Sequence, residues 1–512
     1  MVHVTSSGSR IGAHSSDAQS AARLVMAIIL AGTAVRLALA GATGLGMDES
    51  YSVGSARQLM LSYVDHPPLH YWAAGLAERF FHSEAPIVVR LPSILFFAGS
   101  SWLMYRLTAR LFGARAGLWA VTALNVAPVF TLAHASWVLP DGPLMFFMLA
   151  TANVVAAILF DEPQVRRPLL WWLGAGALGG LAMLSKYSGI FIFVGVLAYV
   201  ATVPAARRHL ATPGPWLAAA LALIIFSPAI IWNLQHGDVA LSFQTRRLPG
   251  GSAIHPLWLV EDLGGQMLYL FPLLFVPVAI ALWRALRAGR SEPRGWLTAL
   301  IAVGPIVLFN VLSLWVHGLP HWPMPGWLFA LPLFGRDAAA LAEERPGFAR
   351  RYMAWSAGIV GLILAVLIWQ TLRGGLIPAS LGPRADITLD LLDWRGLKPA
   401  LEARGLLPAG TAVASPAWMY AGKASYALGP DVPVICICGN PQQFRYRADQ
   451  TQWSGRDLPV IVPRGGNEGA WAEAADYFDR LDPLPPIAIE RAGTTALILD
   501  VAMGRNLHFP PP

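Results

Sequence analysis

Charge is scarce in this sequence. Asp, Glu, Lys and Arg make up 13% of its 512 residues, about half the ~25% of soluble domains. That shortage excludes an ordinary cytosolic enzyme, and the 55% hydrophobic content excludes a disordered regulator, which needs the opposite composition. Lysine is nearly missing: only Lys186, Lys398 and Lys423 occur, leaving 34 of the 37 basic residues as Arg. The net charge of +7 therefore does not read as a nucleic-acid footprint, because the arginines sit in short loops between apolar runs. Cysteine is limited to Cys436 and Cys438 in Val-Ile-Cys-Ile-Cys-Gly, with no His or Cys at zinc spacing around them. A β-like run puts both on one face, so two buried thiols are expected and a redox pair lacks support. No internal repeat is visible, which disfavours inverted-repeat transporter plans. A Gly-rich phosphate loop is also missing, and with 40 Pro and 20 Trp the chain is no simple coiled coil.

What is present is a series of apolar runs close to the ~20 residues a membrane span needs. They fall at 22–41, 88–105, 116–133, 143–160, 169–184, 188–204, 215–231, 257–283, 296–314, 323–334 and 352–371, the fifth and tenth being short. Arg36 lies inside the first, which reads as a retained span rather than a cleaved leader. The expected fold is a polytopic α-helical membrane protein with about eleven transmembrane helices. Alternate connections carry fifteen and five basic residues, so the N-terminus is expected in the cytoplasm and the C-terminus outside. The expected domains are a cytoplasmic tail at 1–21, a membrane domain at 22–371 with a long outer loop at 42–87, and a periplasmic domain at 372–512. The loop suits short amphipathic helices along the membrane surface. In the last segment, Thr-Ala-Val-Ala-Ser, Val-Pro-Val-Ile-Cys-Ile-Cys and Leu-Pro-Val-Ile-Val read as strands of a small α/β domain, with Gly469–Arg480 as a helix.

Polar residues with chemical potential collect on the outer side. Gly46-Met-Asp48-Glu49-Ser-Tyr51 follows the first run. Adjacent acids there fit either a helix N-terminus, where they complement the dipole, or a general base over an acceptor hydroxyl. Tyr63-Val-Asp65-His66-Pro-Pro-Leu-His70-Tyr-Trp holds Asp65 and His66 in a proline-stiffened turn. Trp137-Val-Leu-Pro-Asp141-Gly-Pro-Leu puts an acid at the edge of hydrocarbon, as a cap or as a functional residue. Ser185-Lys186-Tyr-Ser carries the lone lysine of the membrane half, suited to snorkelling or to a lipid phosphate. His317-Gly-Leu-Pro-His321-Trp322-Pro and Gln244-Thr-Arg246-Arg247 offer phosphate or sugar contacts, or interfacial anchors.

Taken in order, Asp-Glu-x-Tyr, Asp-His-Pro-Pro-Leu, Arg90-Leu-Pro-Ser, Leu-Pro-Asp-x-Pro-Leu and Ser-Lys-Tyr-Ser resemble the polyprenyl-phosphate-sugar-dependent GT-C glycosyltransferases. These include protein O-mannosyltransferases and lipid A aminoarabinose transferases, and the resemblance covers roughly 40–335. It implies a GT-C fold, with Asp48 as the catalytic residue, Asp141 as a second site aspartate and Lys186 near the lipid phosphate. Asp65 falls where the aminoarabinose transferases often have Glu, and His66 where they have a phosphate-binding Lys, a departure that argues against an aminoarabinose donor. The expected site comprises Asp48, Asp141 and Glu49 in catalysis, Lys186, His66, Arg246 and His321 at the donor phosphate, and Asp65, Tyr51 and Trp322 at the substrate. The expected reaction is one inverting displacement from a polyprenyl-phosphate sugar to an envelope acceptor (lipopolysaccharide, another lipid, a glycan or a protein) at the outer face of a bacterial inner membrane. No metal, cofactor or nucleic acid is expected. The alternatives are a lipid or polysaccharide transporter using the same acids for proton coupling, or an assembly factor.

Overall fold

The computed structural model describes residues 7–161, 166–245, 253–378, 381–447, 449–466 and 469–509. The chain enters on α1 (Ser7–Ala42), followed by two helices of the first outer connection, α2 (Met47–Ala56) and α3 (Leu69–Phe81). The bundle continues through α4 (Pro86–Phe112), α5 (Ala114–Val126), the single turns α6 (Pro128–Thr131) and α7 (Ala133–Ser136), α8 (Asp141–Phe160), α9 (Pro168–Ser185), α10 (Ile190–Thr202) and α11 (Pro213–Gln235). It is completed by α12 (Val239–Thr245), α13 (Pro256–Leu270), α14 (Pro272–Ala288), α15 (Pro293–Leu312), α16 (Met324–Glu344) and α17 (Pro346–Arg373). Helices are what apolar runs must form in lipid, where every backbone N–H and C=O has to be satisfied within the segment.

Among the described residues, eight helices are long and apolar enough to cross a membrane, or ten if each of two bent pairs is one span. The expected count of eleven is not confirmed, and several of the apolar runs are divided or bent in the structure. The run 257–283 is two helices, broken at Phe271, which takes φ 75° ahead of Pro272. The run 116–133 bends by 76° where Pro128 follows Ala127, and the run 188–204 turns by 113° into the segment beginning at Pro204. The run 323–334 is the first half of α16, buried at the centre of the bundle from Met324 to Gly335, while its second half carries Arg336, Asp337 and Glu344. Gly335 lets α16 touch α5, since a Cβ there would stand 2.4 Å from the Ala116 carbonyl. Of the two short helices in this connection, α3 exposes Leu76, Phe80 and Phe81, whereas α2 is buried at eight of its ten residues.

After α17 comes a separate sheet domain: α18 (Leu397–Ala403), β1 (Val413–Ser415), α19 (Trp418–Leu428), β2 (Val434–Cys436), α20 (Phe444–Arg447), β3 (Leu458–Pro463), α21 (Ala470–Ala475), β4 (Phe478–Arg491) and β5 (Thr494–Leu507). The strand order is β2-β1-β3-β5-β4, parallel among β2, β1 and β3 and antiparallel from β3 to β5 to β4. The three strands expected from the sequence are β1, β2 and β3. The helix expected over Gly469–Arg480 is only α21, because from Phe478 onward the chain pairs with β5, Phe478 opposite Leu507 and Arg480 opposite Arg505. The expected pair of free thiols is also corrected: Cys436 and Cys438 are joined in a disulfide, their Cα atoms 5.6 Å apart. One face of the sheet packs on α18 and α19 through Leu401, Tyr420, Leu428, Ile461 and Leu499.

Candidate active site

Chain direction brings the chemistry to one end of the bundle. The C-termini of α1, α9 and α17 and the N-termini of α2, α8 and α16 all reach a single cavity of about 780 Å3, roofed by the sheet domain. Into it come Asp48, Tyr51, Asp65, His66, Asp141, Lys186, His321 and Trp322, eight of the ten expected site residues. Arg246 lies outside the described residues.

Asp48 stands in the first turn of α2, its side chain exposed to the cavity. The surrounding protein desolvates it, and the carboxylates of Asp390, Asp65 and Glu49 add repulsion, so its pKa is raised to about 6. Glu49, the tenth expected residue, does not reach the cavity. Its carboxylate is 1% exposed and accepts from Arg90 Nε at 2.8 Å and Nη2 at 2.5 Å, Gly46 N at 2.9 Å and Val138 N at 3.1 Å. With these bonds it closes the first turn of α2 from the N3 position, on the side of the turn away from the cavity that Asp48 faces. Arg90 also donates to Thr43 Oγ1 at 2.8 Å and to the Gly44 carbonyl at 2.7 Å, fixing the turn that presents Asp48.

Asp65 is buried and receives the Tyr71 hydroxyl at 2.8 and 3.0 Å and the Tyr51 hydroxyl at 3.4 Å. Tyr51 accepts from Gln443 N at 3.1 Å and sets its ring edge-on to Trp418, centroids 5.1 Å apart. Burial, then the Asp65 charge, pushes both phenols well above their ordinary value, so they act as hydrogen-bond donors. His70 is buried beside His66, ring centroids 5.9 Å apart, and burial holds it neutral with a pKa lowered to about 3.

Across the cavity, Lys186 follows the last turn of α9 and donates to both oxygens of Asp141, at 2.9 and 3.1 Å. His134 Nε2 lies 3.8 Å from the same carboxylate. The two bonds anchor the Lys186 ammonium at this wall of the cavity. The bland reading of Asp141 as a simple cap is set aside, because Pro140 holds the N-cap position and no side-chain cap bond is made there.

Several lining residues escaped the sequence reading. His134 follows directly on the apolar run 116–133, Asp390 lies in the segment between α17 and α18, and Trp418 and Gln442 come from the sheet domain. Gln442 takes a positive φ of 48°. No group of three or more His, Cys, Asp or Glu among the described residues is arranged to hold a metal ion.

The sequence matches the dolichyl-phosphate-mannose-protein mannosyltransferase family over residues 65–232. It is 23% identical over 289 residues to the lipid A galacturonosyltransferase RgtD of Rhizobium johnstonii, spanning 56% of this chain and 59% of that one. To the lipopolysaccharide core galacturonosyltransferase RgtB of the same organism it is 24% identical over 469 residues, 87% of this chain and 88% of that one. Among solved structures, ArnT of Cupriavidus metallidurans in the apo state overlays with a TM-score of 0.59 at 18% identity, covering 94% of this chain and 98% of that one. The ArnT structure bound to undecaprenyl phosphate gives a TM-score of 0.58 at 17% identity, covering 94% of this chain and 97% of that one. The overlays show the fold class, a GT-C-type membrane helix bundle carrying a sheet domain. Within that class the chain resembles both the galacturonosyltransferases and ArnT.

Proposed function

We propose that this protein moves a sugar from a polyprenyl-phosphate carrier to lipid A or the lipopolysaccharide core, at the outer face of a bacterial inner membrane, with its N-terminus cytoplasmic and its sheet domain periplasmic. The observation that carries this reading is the pairing, in one cavity, of an exposed carboxylate of raised pKa, Asp48, with a lysine held by Asp141. Asp48 takes the proton of the acceptor hydroxyl as its oxygen bonds to the anomeric carbon. The bond from that carbon to the carrier phosphate breaks, its electron pair leaving with the phosphate. One displacement inverts the anomeric centre and needs no carboxylate nucleophile.

The departing phosphate carries about two negative charges near pH 7. Lys186, with His66 and His321 facing the same space, supplies the stabilising charge and donors, a role in which Arg246 is included. Metal is therefore not required by the chemistry we assign. The wall made by Leu39 and Val129 with Leu364 and Leu367 of α17 is apolar and suits a lipid-borne substrate. The names of RgtD and RgtB make galacturonate the first donor to try, and His66 in place of a lysine argues against aminoarabinose.

The test is transfer by the purified protein from synthetic polyprenyl-phosphate galacturonate to lipid A. Acceptor gaining one sugar as free polyprenyl phosphate appears is the expected result. Movement of intact carrier without bond cleavage would instead make the chain a flippase.

A further inference from the structure

Helix α2 is gripped by the sheet domain at both ends. At its start, Lys423 of α19, 3% exposed, donates to the carbonyls of Leu45 at 2.6 Å, Asp390 at 2.7 Å and Leu392 at 2.7 Å. One ammonium thereby ties the turn before Asp48 to the strap 390–392. Asp390 Oδ1 accepts the Met47 backbone N–H at 3.0 Å, and its side chain opens on the cavity that Asp48 faces. The approach is close enough to need glycine: a Cβ at Gly44 would meet the Leu391 carbonyl at 2.7 Å, and one at Gly46 would meet Asp390 Oδ2 at 2.7 Å. Along α2, a Cβ at Gly422 would lie 2.9 Å from that of Tyr51. At its end, Arg447 donates to Ser55 Oγ at 2.9 Å and the Tyr51 carbonyl at 3.3 Å.

We propose that the sheet domain is part of the transfer site: Asp390 and Lys423 are positioning residues that lock the first turn of α2 and hold a second carboxylate against Asp48. The inference rests on Asp48 as base. It assigns the domain a role in the chemistry, beyond roofing the cavity. The charged groups facing Asp48 are Asp390 from the strap, Asp65 from the loop before α3, and Glu49 on α2 itself, this last neutralised by Arg90. Across the cavity stand the Asp141–Lys186 pair, with His66 and His321 on the lining. After burial, Asp390 is the largest contributor to the raised pKa of Asp48. Removing the Asp390 charge lowers the proton affinity of the base, and removing the Met47 bond loosens its turn.

The experiment uses the full chain in lipid nanodiscs with dicyclohexylcarbodiimide, which labels protonated carboxyls; labelling of Asp48 is followed against pH by mass spectrometry. Half-labelling near pH 6 is expected in wild type. Asp390→Asn moves it down by about one pH unit, a tenfold change in proton affinity, and Asp390→Glu restores it. In the transfer assay Asp390→Asn lowers kcat about tenfold with the acceptor KM held within about twofold, and the acid limb shifts with the label. A labelling curve for Asp390→Asn superimposed on wild type overturns the proposal. The label needs no donor, so a shifted curve beside full turnover by Asp48→Asn would sink the base assignment and leave the carboxylate coupling intact.

Discussion

Asp48 and Glu49 are neighbours in sequence, and the structure predicts opposite consequences for them. Glu49→Gln removes the charge from a pair whose side chains are 2% and 1% exposed, leaving the Arg90 guanidinium buried against an amide that cannot accept on both sides. Uncompensated buried charges cost about 3–5 kcal/mol. The Thr43 and Gly44 contacts of Arg90 survive, so the lower end of that range, about 3 kcal/mol, is expected. Asp48→Asn removes a charge that burial and three neighbouring carboxylates already disfavour, so stability is unchanged or slightly raised. Transfer falls by about two to four orders of magnitude when the base is lost. The assay is paired: thermal unfolding followed by fluorescence-detected size exclusion, and initial transfer rates at a temperature where both variants are folded. Glu49→Gln should unfold early yet retain a large share of the rate when folded, and Asp48→Asn the reverse. A Glu49→Gln protein as stable as wild type but as inactive as Asp48→Asn would show that Glu49 meets the substrate, refuting the division of roles.

Three further outcomes follow from the same geometry. The base must be ionised to act, so kcat/KM should rise with pH through about 6 and level off above it, with the limb absent from the residual activity of Asp48→Asn. Lys186→Met removes the cation from Asp141 and from the phosphate position; affinity for undecaprenyl phosphate, measured by titration, should fall more than tenfold, an effect on the order of 1.4 kcal/mol or more, while Lys186→Arg keeps part of it. Transfer should proceed equally with and without EDTA, and loss of activity restored by one divalent cation would contradict the assignment of phosphate charge to Lys186 and its histidine neighbours.

The membrane half was legible because hydrocarbon admits few backbone solutions: a long apolar run there forms a helix. What composition could not resolve was where such a run breaks, since Pro128 and Pro272 interrupt helices whereas Pro92, Pro228 and Pro305 are carried inside them. In the sheet domain Pro483, Pro485 and Pro486 stand within β4, an edge strand, where a missing N–H costs no ladder bond, and the register shifts between Leu484 and Ile487. The hairpin turn is Ala492-Gly493, with φ 49° and 81°, in place of the Asn-Gly that would have announced it.

The site was legible where motifs follow one another in loops of one face, as with Asp48, Asp65, Asp141 and Lys186. Asp390 was not, because it meets Met47 across 343 residues of chain and lies in no pattern that local spacing reveals. Lys423 carried a weak signal as one of three lysines in the chain. Its three carbonyl partners are what give that rarity a meaning.

The central claim is that Asp48 drives sugar transfer to a lipopolysaccharide acceptor. Mass spectrometry of lipid A and core oligosaccharide from a deletion strain, complemented with wild type or with Asp48→Asn at matched expression, tests it most directly. The account predicts that one sugar disappears on deletion, returns with the wild-type gene and stays missing with Asp48→Asn. A variant that restores the full glycan would contradict it.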